Sequence, residues 1–125
     1  MRRNASVLVI DDEEVLARTI CNYLRKRDID AEFALDASGG IAKFSTLKPD
    51  VTFLDYRVGA DNGIDILDRL RARDAGAHVV LLGGAAALYV ERGGRTLVPL
   101  RDPDDAWLRP ALVALADWVR DRLVD

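Results

Sequence analysis

The stretch Val7-Leu8-Val9-Ile10-Asp11-Asp12-Glu13-Glu14 runs four apolar residues straight into four carboxylates. Further along, Asp55 closes a second apolar run, Val51-Thr52-Phe53-Leu54. Like charges held close together cannot all stay ionised unless something offsets them. A divalent cation does so. Hard carboxylate oxygens with positions left open for water suit Mg²⁺, which keeps several waters and favours one or two carboxylates plus phosphate oxygens. A carboxylate held beside such an ion can act as a nucleophile toward a phosphoryl group. The metal neutralises the incoming oxygens, and positioning supplies much of the rest. The plainer alternative is that Asp11 or Asp12 caps the helix that follows and that Asp55 is a loop acid. Glu13 and Glu14 suit the helix N-terminus better than a metal site.

For Asp11, Asp12 and Asp55 to act together, the chain must fold so that they meet. Residues 6–10 read as a strand. Residues 13–27 have helical spacing, with Val15, Leu16, Ile20, Tyr23 and Leu24 on one face. A strand is predicted over 29–35, a helix loosened by Gly39 and Gly40 over 37–47, and a strand over 50–55 introduced by Pro49. A helix over 63–73 turns Ile64, Leu67 and Leu70 inward, and 77–82 form a fourth strand. Beyond Gly83 the pattern weakens. Residues 83–94 hold room for one or two helical turns, and 96–100 for a short strand. A last helix over 103–123 opens on Asp102 as N-cap and Pro103 as first residue, with Pro110 a predicted kink. Alternating strands and helices give an α/β fold, a doubly wound and mostly parallel sheet with helices on both faces. In such sheets the ligand site lies beyond the C-terminal strand ends, where strand order reverses. If the first and third strands are neighbours, the three carboxylates converge there.

The chain of 125 residues suits one domain, 1–125, with one core. Its net charge of −3 gives no reason to expect nucleic-acid contact by this domain. One cysteine, Cys21, excludes an internal disulfide and fits a reducing compartment; mid-helix, it reads as packing. No apolar run approaches a membrane span and "MRRNAS" leads into no signal-peptide core, so the expected location is cytoplasmic, away from the membrane. His78, the sole histidine, reads as an edge residue at the start of the fourth strand.

The residues "VLVIDDEE" and "PDVTFLDYRVGADNGIDIL" (49–67), with the strand–helix spacing between them, resemble the receiver domain of two-component response regulators. The resemblance is good over roughly 5–82, with acid pair, strand-end Asp and downstream Asn-Gly in register. It implies a flavodoxin-like five-stranded parallel sheet in the order 2-1-3-4-5. It implies that Asp55 accepts a phosphoryl group from a histidine kinase, a phosphotransfer protein or a small acyl phosphate. It implies Mg²⁺ bound directly by Asp12 and Asp55, through water by Asp11, and by the backbone carbonyl of Arg57. The chain would then be no enzyme beyond its own phosphorylation and dephosphorylation. Gly63 matches the family glycine opening the third helix. Gly59 stands where a proline is common, which loosens the loop. Receivers often precede a DNA-binding or enzymatic output domain, and none is expected within these 125 residues.

The family's readout residues are missing. The Ser or Thr at the end of its fourth strand is Gly83 here. Its fifth-strand Lys aligns with Pro99, no lysine occurs after Lys48, and the switch aromatic becomes Thr96. The intervening segment is about six residues short, which predicts a shortened fourth helix. Losing a charge-assisted hydrogen bond from the lysine costs about 1.5–3 kcal/mol, which slows transfer without abolishing it. No obvious two-state element then links Asp55 to a distant surface. Arg57 leaves the strand end beside the pocket and could lay its guanidinium over a phosphoryl in the lysine's place. On the last helix, Trp107, Ala111, Ala114 and Trp118 form a second stripe beside the core stripe. It is expected either to contact a partner or second subunit, giving a homodimer, or to fill the space of the short fourth helix. A phosphorylation-independent interaction module is the alternative reading. An aspartyl-phosphate phosphatase would want Asp-x-Asp, and a flavin protein a phosphate-cradling loop in place of these acids.

Overall fold

The structure, a computed structural model, describes residues 4–83, 86–91 and 94–99. In chain order the elements are β1 (Ser6–Ile10), α1 (Glu14–Arg25), β2 (Asp30–Ala34), α2 (Ala37–Leu47), β3 (Val51–Asp55), β4 (Arg57–Val58), β5 (Asp61–Asn62), α3 (Gly63–Arg73), β6 (Val79–Gly83), β7 (Ala86–Glu91) and β8 (Gly94–Pro99). The main sheet has the order β2-β1-β3-β6-β7-β8. Its first four strands are parallel, which is the doubly wound α/β arrangement expected. Strands covered on both faces read as unbroken apolar runs, as Val7–Ile10 and Val51–Leu54 do. Alternation along those runs separates two cores. Val7, Val9, Phe53 and Val80 pack against Ala17, Ile20, Cys21 and Leu24 of α1. Leu8, Ile10, Leu54, Val79 and Leu81 pack on the opposite face against Ile41 and Phe44 of α2 and Ile66, Leu67 and Leu70 of α3.

On α1 the expected Leu16, Ile20, Tyr23 and Leu24 and on α3 the expected Leu67 and Leu70 do face the core; one residue on each helix differs from the sequence expectation. Val15 was placed on the core face of α1 and is 81% exposed. The buried stripe is Ala17, Ile20, Cys21 and Leu24, an i, i+3, i+4, i+7 set to which Val15 does not belong. Likewise Ile64 sits half-exposed while Gly63, Ile66, Leu67 and Leu70 form the inner stripe of α3. Cys21 is fully buried in the first core, and burial pushes its thiol up to about 11, in keeping with a packing role. The His78 backbone carbonyl accepts from the Thr52 N–H just ahead of β6.

The larger correction concerns residues 83–99. The predicted helical turns are instead the strand β7, antiparallel to β6 with Gly83 opposite Ala86. β8 then runs antiparallel to β7, with Glu91 opposite Gly94. The sheet therefore has six strands where five parallel ones were expected, and no fourth helix intervenes between β6 and β8 among the described residues. The cause is length. A parallel crossover needs about a dozen residues or more, whereas the two pairs Gly83-Gly84 and Gly93-Gly94 bracket a short β-rich stretch as hairpin turns do. The last helix, with Trp107, Ala111, Ala114 and Trp118, lies outside the described residues. Among the described residues no helix is long and apolar enough to cross a membrane.

Candidate functional site

β1 lies between β2 and β3, so the crevice where strand order reverses opens at the C-terminal ends of β1 and β3. The register pairs Ile10 with Leu54, which sets Asp11 beside Asp55. Asp11, Asp12 and Asp55 each offer a carboxylate oxygen within 4.8 Å of the other two. Asp11 is buried, Asp12 exposed and Asp55 half-buried. The donor set is hard oxygen only, graded from core to solvent, and it fits a small divalent cation that keeps waters on its open side.

Each acid is held by backbone. The Asp11 N–H donates to the Ala34 carbonyl at 3.1 Å, and its Oδ1 accepts the Glu13 N–H at 2.9 Å. Asp12 Oδ2 accepts the Gly59 N–H at 3.0 Å, a contact spanning 47 positions that ties the β4–β5 loop to β1. The Tyr56 N–H donates to the Leu82 carbonyl at 2.7 Å, fixing the strand end behind Asp55. Neither Asp11 nor Asp12 serves as a helix cap. The N-cap of α1 is Glu13, without a side-chain capping bond, and Glu14 pairs with Arg18 at 2.7 Å.

Burial pushes the Asp11 carboxyl up to about 6, opposed by the Glu13 N–H and reinforced by the charges of Asp55, Glu13 and Asp12. Asp55 is also raised, first by burial and then by the Asp12 charge, against the nearby N–H groups of Arg57 and Tyr56, which lower it. Asp11 and Asp55 thus hold protons more tightly than isolated carboxylates, and a cation would replace those protons.

Two glycines shape the loop. A Cβ at Gly63 would lie 2.5 Å from the Asp55 carbonyl and 2.8 Å from that of Tyr56. The same close approach lets the Gly63 N–H donate to the Tyr56 carbonyl at 2.6 Å. Gly59, read from sequence as merely loosening the loop, instead adopts φ +62 and supplies the N–H that holds Asp12. Nothing local in the sequence signals that long-range bond. Proline at this position has neither the N–H nor access to that φ. Gly59→Pro should lower stability by about 1–2 kcal/mol, read as a lower urea midpoint at unchanged slope; an unchanged midpoint would remove the role assigned to this bond.

The remaining singled-out positions sit as follows. Arg57 is exposed, in β4 opposite Asn62. Gly83 ends β6, and Pro99 ends β8 opposite Ala86, while Thr96 lies within β8 opposite Tyr89. Because β7 separates β8 from β6, Pro99 and Thr96 stand two strand spacings, about 10 Å, from the β6 line.

The family model for the response regulator receiver domain matches residues 7–92. Among curated relatives, "Probable transcriptional regulatory protein TcrX" of Mycobacterium tuberculosis is 36% identical over 91 residues, covering 73% of this chain and 39% of that protein. Thus the match spans about two fifths of that relative's length. A response regulator receiver domain from Clostridium thermocellum superposes with TM-score 0.61 at 27% identity, covering 64% of this chain and 65% of that one. A Burkholderia pseudomallei response regulator, solved with a phosphorylated aspartic acid, calcium ion and citrate, superposes with TM-score 0.61 at 26% identity, covering 65% and 48%. With the acid crevice, the parallel strands and a family match over more than half its length, this chain belongs to the response regulator receiver domains of two-component signalling.

Proposed function

We propose that the domain accepts a phosphoryl group on Asp55, delivered by a histidine kinase or phosphotransfer protein. The carrying observation is the convergence of three carboxylates within 4.8 Å at two adjacent strand ends. An Asp55 oxygen attacks phosphorus and forms a new P–O bond. The bond from phosphorus to the donor histidine nitrogen, or to the bridging oxygen of an acyl phosphate, breaks, and its electron pair leaves with the donor. Asp12 and Asp55 would hold Mg²⁺ directly, Asp11 through water and Arg57 by its backbone carbonyl. Bound there, the ion offsets the charge of the acids and of the phosphoryl oxygens. The Arg57 N–H, close to the Asp55 carboxylate, helps orient it for attack, while the Tyr56 N–H holds the strand end to the Leu82 carbonyl. The phosphorylated aspartate and calcium of the Burkholderia relative support this reading by likeness. Response regulators are mostly signalling proteins, and the chemistry here would be confined to the domain's own phosphorylation and dephosphorylation.

The test is the intact mass after incubation with Mg²⁺ and a small acyl phosphate, beside Asp55→Ala. A phosphoryl-sized gain in the wild type, lost in the variant and in chelator, is expected. No gain, with no Mg²⁺ binding by titration, would defeat the proposal and favour a second reading, a phosphorylation-independent interaction module. That reading draws on the β7–β8 hairpin and on Gly83, Thr96 and Pro99 at the family's readout positions.

A further inference from the structure

We propose that Arg57 is the cation that meets the phosphoryl group on Asp55. The inference rests on the phosphoacceptor reading above. Three ionised carboxylates bring three negative charges and a divalent ion returns two; a phosphoryl on Asp55 adds still more negative charge. A second cation is therefore needed at the mouth. Among the described residues, the segments that end at this face are 10–13 after β1, 35–36 after β2, 55–63 after β3 and 82–83 closing β6, together with Ala86 and Pro99 of the hairpin. Arg57 is the only Lys or Arg in these described segments.

Its backbone is fixed at the pocket. The Arg57 N–H lies close enough to the Asp55 carboxylate to hold its carboxyl down against burial, and the residue pairs with Asn62 across β4–β5. Two residues on, the Gly59 N–H is bonded to Asp12, and the Gly63 N–H returns to the Tyr56 carbonyl. Val58 is buried at 1% exposure, so Arg57, its neighbour in the strand, is directed away from the core and is exposed on the loop that carries Asp55. Its guanidinium is paired with no carboxylate among the described residues. The fork of donors suits a phosphoryl bearing two or three oxygens, and it reaches the site from a rigid turn at little ordering cost.

The initial rate of mass gain from an acyl phosphate with Mg²⁺ should be compared for wild type, Arg57→Ala and Arg57→Lys, with Mg²⁺ affinity measured separately by calorimetry. Loss of one charge-assisted contact should slow phosphoryl incorporation about tenfold or more in Arg57→Ala. Mg²⁺ affinity should hold, because any carbonyl ligand at residue 57 belongs to the backbone. Arg57→Lys should recover most of the rate, and added salt should shrink the gap between wild type and Arg57→Ala. An Arg57→Ala rate equal to wild type overturns the proposal and leaves the phosphoacceptor reading standing. A joint loss of rate and Mg²⁺ affinity that lysine does not restore also overturns it, since that marks a damaged loop. If the wild type gains no mass, the phosphoacceptor reading fails and this inference falls with it.

Discussion

Asp11→Asn should make the metal-free protein more stable at pH 8, by about 2–3 kcal/mol. The size follows from a shift of about two pH units at about 1.4 kcal/mol each. Asp11 is 5% exposed and its carboxyl is raised from 3.8 to about 6, chiefly by burial, with Asp55, Glu13 and Asp12 adding repulsion. A carboxyl raised in the folded state binds its proton more tightly folded than unfolded. Its stabilising contribution is complete below pH 3.8 and is lost as pH rises through 6. At pH 8 the wild type therefore carries a buried charge that asparagine removes, while the asparagine oxygen still accepts the Glu13 N–H. Below pH 4 the two proteins should be equally stable, apart from the small difference between a protonated acid and an amide. With Mg²⁺ the order should reverse, since binding stabilises only the chain that holds the ion, in proportion to its saturation. Urea unfolding in chelator across pH 4–8, repeated with Mg²⁺, checks both arms. A variant less stable than wild type at pH 8 in chelator, or a difference that does not change with pH, would show that Asp11 is not under the strain described.

That strain was foreseeable from the sequence because its origin is local and repetitive. Four apolar residues followed by Asp11 and Asp12 can only be a buried strand that ends in acids, and strand–helix alternation forces parallel pairing. Neighbouring β1 and β3 then bring Asp55 to the same rim. The same logic fails where a position depends on contacts made elsewhere. Val15 fits a helical face on paper, but the face that counts is the one turned to Val7, Val9 and Phe53, and the stripe beginning at Ala17 fills it. Gly59 looks idle because its partner, Asp12, is 47 positions away. Residues 86–91, Ala-Ala-Leu-Tyr-Val-Glu, suit helix or strand about equally. The flanking glycine pairs and the shortness of the segment decide for a hairpin, and those cues carry weight only once a parallel crossover is seen to be too long to fit.

Gly63→Ala should be strongly destabilising, costing about 2–3 kcal/mol of stability as an overpacking change. The added Cβ would fall 2.5 Å from the Asp55 carbonyl, 2.8 Å from the Tyr56 carbonyl and 2.9 Å from the Tyr56 Cα. All three are backbone atoms, so no rotamer change relieves the contact. Either α3 moves off the sheet, or the 55–56 peptide shifts and takes Asp55 and the N–H of Arg57 with it. Gly40 is the informative control. A Cβ there would meet Ile10 at 2.7–3.0 Å, but the atoms it meets are all side chain. Only the Cδ1 end of that side chain can turn aside, since Cγ1 and Cγ2 branch from the Cβ of a fully buried Ile10, but alanine inside α2 recovers about 1 kcal/mol of helix propensity over glycine. Gly40→Ala should thus cost less than Gly63→Ala, about 1 kcal/mol, because propensity offsets part of the overpacking. Because the Gly63 clash is delivered to the acid-bearing loop, Mg²⁺ affinity should fall in Gly63→Ala and hold in Gly40→Ala. Urea midpoints and Mg²⁺ titration of the two variants side by side make the comparison. Equal costs for the two glycines would mean that the contact between α3 and the end of β3 is soft, and that the acid crevice does not depend on the close approach that Gly63 permits.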